Sequence, residues 1–268
     1  MSQLLQIFQV DAFSTSAFGG NPAAVCPLPQ WPTDDLLQAF AKEMNLPATA
    51  FFVENDVGAY HIRWFTTQRE IELCGHATLA TAWVLYNRLG YTEKTIRFQS
   101  PSGELQTRNN GDGWIELDFP LVEMKPATSS EALWEGLGAH PSACFSGLDL
   151  MAVFDDESII RDLQPDLQQL AKLPVRGIIA TAPGKECDFV SRFFAPRYGI
   201  DEDSVTGSAH CALTPYWANR LNKNELIARQ LSSRSGEIRC RLKDERVLLS
   251  GRVAEVFQAE FQSFILGL

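Results

Sequence analysis

Apolar positions recur along this chain with two different periods. Short runs with strand character cover Leu5–Phe13, Phe51–Glu54 and Tyr60–Thr66. Thr95–Gln99, Gly103–Asn109 and Trp114–Phe119 read as a strand meander joined by glycine-containing turns. A helical period covers Thr33–Met44, with Thr33 as the cap and Asp34 and Asp35 in the first turn, where carboxylates favour the helix dipole. A second helix covers Gly75–Leu89 and ends at Gly90. It is apolar on nearly every face through Ala77, Leu79, Ala80, Ala82, Trp83, Val84 and Leu85, which predicts a buried helix.

The pattern then repeats. Placing Cys74–Gly90 (CGHATLATAWVLYNRLG) over Thr206–Asn222 (TGSAHCALTPYWANRLN) gives six identities in seventeen positions without gaps, at an offset of 132. Half of the 268 residues is 134, so the spacing suggests duplication and not a solenoid of short units. The flanks keep the same order. Arg63-Trp64-Phe65 answers Arg192-Phe193-Phe194, and Ser102-Gly103-Glu104-Leu105 answers Ser235-Gly236-Glu237-Ile238. Leu36–Lys42 also resembles Leu167–Lys172. Two similar domains are therefore expected, residues 1–122 and 123–268, joined near Pro120–Ser130, where PLVEMKPATSS breaks the periodicity. Val256–Leu268 is a candidate to return to the first domain. The expected class is α+β, each domain a mostly antiparallel, barrel-like sheet around a central buried helix.

Composition narrows the function. A hydrophobic fraction of 45% with 21% charged residues supports a core without staples. The net charge of −10 argues against nucleic acid as a partner, since that needs a basic face. No apolar run is long enough to predict a membrane span. The start, MSQLLQIFQVDAF, lacks the features of a secretory signal. The six cysteines are scattered without a CxxC, so reduced thiols and a cytoplasmic location are expected. Four scattered histidines predict no metal site.

The chemistry concentrates where each buried helix begins. A helix N-terminus carries unpaired N–H groups and a positive dipole end, and Gly75 and Gly207 let a ligand approach the backbone closely. Two such ends, one per domain, suit a carboxylate held across a cleft, with Ser208 either adding to that cradle or simply capping the second helix. Cys74 at such a position reads as a base or nucleophile, or as a small buried hydrophobe. His76 reads as a general acid/base, or as a structural histidine at a helix start. Asp203 reads as an acid/base or orienting carboxylate, or as a first-turn acid, a role that Asp201 and Glu202 suit better. Asn21, in a Gly-Gly-Asn-Pro turn, is a turn former or a ligand contact. His61 and His140 have no supporting pattern, and His210 faces another side of its helix than Ser208.

FGGNPAAV (Phe18–Val25), ELCGHATLATA (Glu72–Ala82) and DEDSVTGSAHCAL (Asp201–Leu213) resemble the phenazine-biosynthesis isomerase (PhzF-like) family, of the diaminopimelate-epimerase fold group. The resemblance runs through both halves. It implies pseudo-two-fold symmetry, a site in the cleft between domains, no metal or organic cofactor, and a homodimer. It also implies proton transfer on a small cyclic carboxylate of the dihydro-hydroxyanthranilate type. His76, Asp203 and Ser208 take the places of the family's active-site histidine, aspartate and serine, with Asn21 and Gly75 lining the site.

One position departs from the pattern. The family's proton-shuttling glutamate stands in a stretch like N-L-S-E-T, and here Asn45-Leu46-Pro47-Ala48-Thr49 puts Ala48 in its place. A second comparison, with the thiol-based racemases of the fold, sets Cys74 at one thiol position and Thr206 at the other. A hydroxyl is too weak an acid to replace a thiol of pKa about 8.5, so two-base racemization is not expected. One thiol with a threonine in the other place resembles the hydroxyproline dehydratases instead. A lyase, and a silent binding homologue that lacks the glutamate, therefore stand beside the isomerase reading.

Overall fold

The computed structural model describes residues 4–55 and 58–268. Two compact units emerge. One holds the chain up to Asp118 together with Ser250–Leu268, and the other holds Phe119–Leu249. In chain order the first contains β1 (Leu4–Ala12), β2 (Asn21–Pro27), α1 (Asp34–Met44), β3 (Ala48–Glu54), β4 (Tyr60–Phe65), β5 (Glu70–Ile71), α2 (Gly75–Asn87), β6 (Thr95–Ser100), β7 (Gly103–Gly111) and most of β8 (Trp114–Pro120). The second contains β9 (Lys125–Ala127), α3 (Glu131–Leu137), β10 (Ala143–Ser146), β11 (Leu150–Val153), α4 (Glu157–Asp162), α5 (Leu167–Leu170), β12 (Ile178–Pro183), β13 (Phe189–Phe194), α6 (Gly207–Leu221), β14 (Glu225–Gln230), β15 (Gly236–Lys243) and most of β16 (Arg246–Gly251). The last strand, β17 (Val253–Gln262), pairs with β1 in the first unit.

The duplication is visible in the pairing. In the first unit β2 runs parallel to β3, β3 antiparallel to β4, β4 parallel to β6, and β6 antiparallel to β7. In the second, β11, β12, β13, β14 and β15 follow the same parallel and antiparallel order. Parallel neighbours need a crossover, which α1 and α2 supply in one unit and α4, α5 and α6 in the other. The pairings β1–β17, β1–β2, β10–β11, β4–β5 and β7–β8 are antiparallel, so the fold is α+β with mostly antiparallel sheet. The stretch Pro120–Ser130 is not a bare linker, because β9 lies within it and pairs with β10. Each repeat thus ends in a strand, β9 or β17, that completes the sheet of the unit holding the other repeat.

The two faces of the sheets do different work. In the first unit Phe51 and Phe65 turn to α1 and pack with Leu37 and Ala41. Their strand neighbours Ala50 and Trp64 point to the opposite face and are fully buried. In the second unit α3, α4 and α5 cover one face through Leu133, Leu137, Ile160 and Leu170.

Burying α2 and α6 requires their polar side chains to find partners internally. Thr78 Oγ1 donates to the carbonyl of Cys74 at 2.7 Å, and Thr81 Oγ1 to that of Ala77 at 2.8 Å. In α6, His210 Nδ1 makes the equivalent bond to the Thr206 carbonyl at 2.8 Å, and Thr214 Oγ1 donates to His210 O at 2.6 Å. Pro215 has no N–H for the carbonyl of Cys211. The amide of Val122 donates to that carbonyl instead, at 3.1 Å.

Helix α2 stops two residues before the expected Leu89. Arg88 and Leu89 both donate to the carbonyl of Val84, and Gly90 then takes a positive φ of 73°. Thr33 stands at the N-cap of α1, but its side chain makes no capping bond; its carbonyl accepts from Leu36 and Leu37.

Candidate active site

In the first unit the chain leaves β5 and enters α2 through Cys74, the N-cap residue, whose φ and ψ of −142° and 99° are extended. The approach is tethered. Ser102 Oγ donates to the carbonyl of Glu72 at 2.6 Å, and Glu70 takes both Arg63 Nε and Nη2 at 2.7 and 2.6 Å. The Cys74 side chain does not cap the helix. Its Sγ lies 3.5 Å from His76 Nδ1 and 3.9 Å from Nε2. His76 keeps part of its surface open, yet the protein around it excludes enough water to lower its pKa to about 4. It is a neutral imidazole at neutral pH, beside a thiol.

Asn21 opens β2, paired with Ala12 and fully buried. The turn before it holds Phe18 and Gly20 at positive φ. A Cβ on Gly20 would lie 2.1 Å from the carbonyl oxygen of Ala12, so only glycine fits there. Asp11, also fully buried, accepts the amide of Phe18 at 2.7 Å and holds the turn from below.

The second unit repeats the entry with other side chains. Ser232 Oγ donates to the carbonyl of Ser204 at 2.8 Å, two residues before the N-cap, as Ser102 does for Glu72. Arg192 pairs in two bonds with Glu202, as Arg63 does with Glu70. The N-cap is Thr206, with φ and ψ of −114° and 99°. Its hydroxyl also leaves the helix uncapped and donates to Asp203 Oδ2 at 2.6 Å. Asp203 is placed by its own amide, which donates to the Phe193 carbonyl of β13 at 3.0 Å.

Ser208, in the first turn of α6, accepts from Arg176 Nη2 at 3.0 Å. Arg176 also grips the buried carboxylate of Asp149 through Nε and Nη2, at 2.8 and 2.5 Å. Its guanidinium carbon lies 5.6 Å from the centre of the Phe193 ring. Gly177 permits that approach, since a Cβ there would come within 2.2 Å of the ring.

Within each unit the structure groups the residues singled out from the sequence. Cys74, Gly75 and His76 begin α2; Asp203, Gly207 and Ser208 surround the start of α6. Ala48 is fully buried in β3 opposite Ala23, and Glu43 and Glu54 are exposed. Sequence reasoning missed Arg176, Asp149 and Gln230. Arg176 and Asp149 stand 27 residues apart and come together only because β11 and β12 are parallel neighbours. Gln230 closes β14. Surface depressions lie at the C-terminal ends of the buried helices, around Asn219–Asn224 and Tyr86–Lys94, at the far end of each helix from these residues. No cluster of three metal-ligating side chains occurs among the described residues.

The model of the family described as phenazine biosynthesis-like protein matches residues 10–259. The chain belongs to that family. An uncharacterized isomerase of Pseudomonas aeruginosa is 50% identical over 250 residues, covering 93% of this chain and 96% of that protein. A crystal structure of a PhzF-family phenazine biosynthesis protein from Enterococcus faecalis superposes with a TM-score of 0.94 at 41% identity, covering 97% of this chain and 99% of that one. A hydroxyproline epimerase of Agrobacterium vitis, with trans-4-hydroxy-L-proline bound, shares the fold alone, at a TM-score of 0.62 and 9% identity over 97% of this chain and 92% of that one.

Proposed function

We propose that this PhzF-like protein is a cytoplasmic, homodimeric isomerase that moves a proton on a small cyclic carboxylate without a cofactor. The observation that carries the reading is the neutral His76 at the uncapped start of α2, with the Cys74 thiol 3.5 Å from its Nδ1. The proposed site is the start of α2, and the second unit carries a corresponding helix start at Gly207. The helix-start amides of Gly75, and those of Gly207 and Ser208, are the proposed carboxylate-binding groups, with Asn21 as a further substrate contact. The Arg176 guanidinium, in contact with Ser208 Oγ, supports an anion at that end.

In this reading His76 accepts a proton from a C–H bond next to an electron-withdrawing group. The electron pair shifts through the ring, and the imidazolium returns the proton to a different carbon; Asp203 is proposed as the second acid/base group. Bonds made and broken balance, so the product is an isomer. The bound carboxylate strengthens the base, because a nearby negative charge favours the imidazolium. With Ala48 in the glutamate position, Cys74 is the proton partner closest to the imidazole. A second reading, a lyase that expels hydroxide after proton loss, is favoured by the replacement of one N-cap thiol by Thr206, whose hydroxyl is committed to Asp203.

The test is solvent exchange. Cyclic amino and imino acids and dihydroaromatic carboxylates are incubated with the protein in D2O and read by mass spectrometry. Deuterium uptake that is lost in His76→Ala supports proton transfer, and an isomeric product or loss of water separates isomerase from lyase. Tight binding with no exchange would mark a binding protein and overturn both enzyme readings.

A further inference from the structure

The start of α6 holds a buried amide whose orientation can be deduced from its partners. Gln230 has no exposed surface. Its Oε1 accepts the backbone N–H of Thr206 at 2.8 Å, and its Nε2 donates to the backbone carbonyl of Asp203 at 2.7 Å. A backbone N–H requires an acceptor and a carbonyl requires a donor, so these contacts exclude the flipped amide. Nε2 also reaches Thr206 Oγ1, at 3.1 Å. Because Nε2 can only donate, the hydroxyl must accept there. Its single proton is then directed to its other neighbour, Asp203 Oδ2, at 2.6 Å.

We infer that Gln230 is a positioning residue for Asp203: by setting the polarity of the Thr206 hydroxyl, it holds the Asp203 carboxylate oriented as an acceptor at Oδ2. The consequence for proton transfer rests on the proposed role of Asp203 as an acid/base group; the direction of the hydrogen-bond chain does not. The chain also removes Thr206 as a proton donor to substrate, since its only proton is engaged. In the first unit the N-cap Cys74 lies against His76.

A purely structural Gln230 would tether backbone and nothing more. The carboxyl 13C resonance of Asp203, measured at one fixed pH, distinguishes the two roles without any substrate. Thr206→Val removes the hydroxyl and must move the resonance, while Thr206→Ser must keep it near the wild-type position. Gln230→Met must move it in the same direction as Thr206→Val. If Gln230→Met does not fold, Gln230→Glu, which exchanges the donating amide for an oxygen, must move it. A resonance that moves in Thr206→Val but stays in place in the folded Gln230 variant would overturn the inference. With a substrate from the exchange panel, the Gln230 variant should lose about tenfold in kcat with KM changed less than about twofold, the pattern of a lost transition-state contact. Equal loss in KM alone would also overturn it. Absence of any turnover in the wild type counts against the proposed function and leaves the resonance result standing.

Discussion

Cys74 and Thr206 occupy the same place in the two repeats, the N-cap of a buried helix, and their side chains turn to different partners. The thiol lies against His76, while the hydroxyl donates to Asp203. Neither caps its own helix. The duplication has thus kept the backbone of the two helix starts and divided the chemistry, an imidazole in one and a carboxylate in the other.

If the thiol is the proton partner of His76, the two residues differ in how much they matter. His76→Ala should lower solvent exchange by at least about a hundredfold, the usual scale of a general acid/base. Cys74→Ala should lower it by about tenfold, since water can replace a proton donor but not a held base. Initial exchange rates at saturating substrate give both numbers. A Cys74→Ala protein with wild-type kcat would remove the thiol from the mechanism.

Arg176 offers a stability test that needs no substrate, and a kinetic one that does. Asp149 is 3% exposed and has Arg176 as its ion-pair partner, whose side chain is 36% exposed. Removing one partner of a buried pair costs about 3–5 kcal/mol, and partial access of water to this guanidinium reduces the figure. Arg176→Gln should therefore destabilise the protein by roughly 2 kcal/mol, read as a lower urea midpoint with unchanged slope. It should also raise KM for an anionic substrate.

The buried histidine of α6 predicts an acid limit to stability. Burial lowers His210 from 6.5 to about 4, and the group is fully enclosed. The unfolded chain therefore binds a proton at higher pH than the folded one. The stabilisation is complete above about 6.5 and is lost as the pH falls from there to about 4. Its size is roughly 3 kcal/mol. His76 shifts in the same direction but is partly open to solvent, so it adds less. His210→Thr copies the side chain that α2 carries at Thr78, and it should flatten the stability curve over that interval in chemical denaturation at a series of pH values.

Much of the fold could be read from the chain because periodicity and duplication are local signals. The run of apolar residues after Cys74 announced a buried helix, and its echo after Thr206 announced a second. Cys74, Gly75, His76, Asp203, Gly207 and Ser208 were readable for the same reason, since they sit within four positions of a helix start, while Asn21 was marked by its Gly-Gly-Asn-Pro turn. Arg176, Asp149 and Gln230 carried no such mark. Their partners are 24 to 32 residues away, and only strand pairing brings them together. The β9 strand was hidden for a related reason. Lys125-Pro126-Ala127 has no alternation of its own and takes its form from β10.

We propose that His76 and Cys74 form one proton-transfer pair at the start of α2. Solvent deuterium exchange is measured in a double-mutant cycle of His76→Gln, Cys74→Ala and both together, on a substrate the wild type exchanges. Groups that act on one proton path are strongly non-additive. His76→Gln should lose at least about a hundredfold, and adding Cys74→Ala to it should lose little more. Wild-type exchange in His76→Gln, or a double variant whose loss is the product of the two single losses, would overturn the pairing.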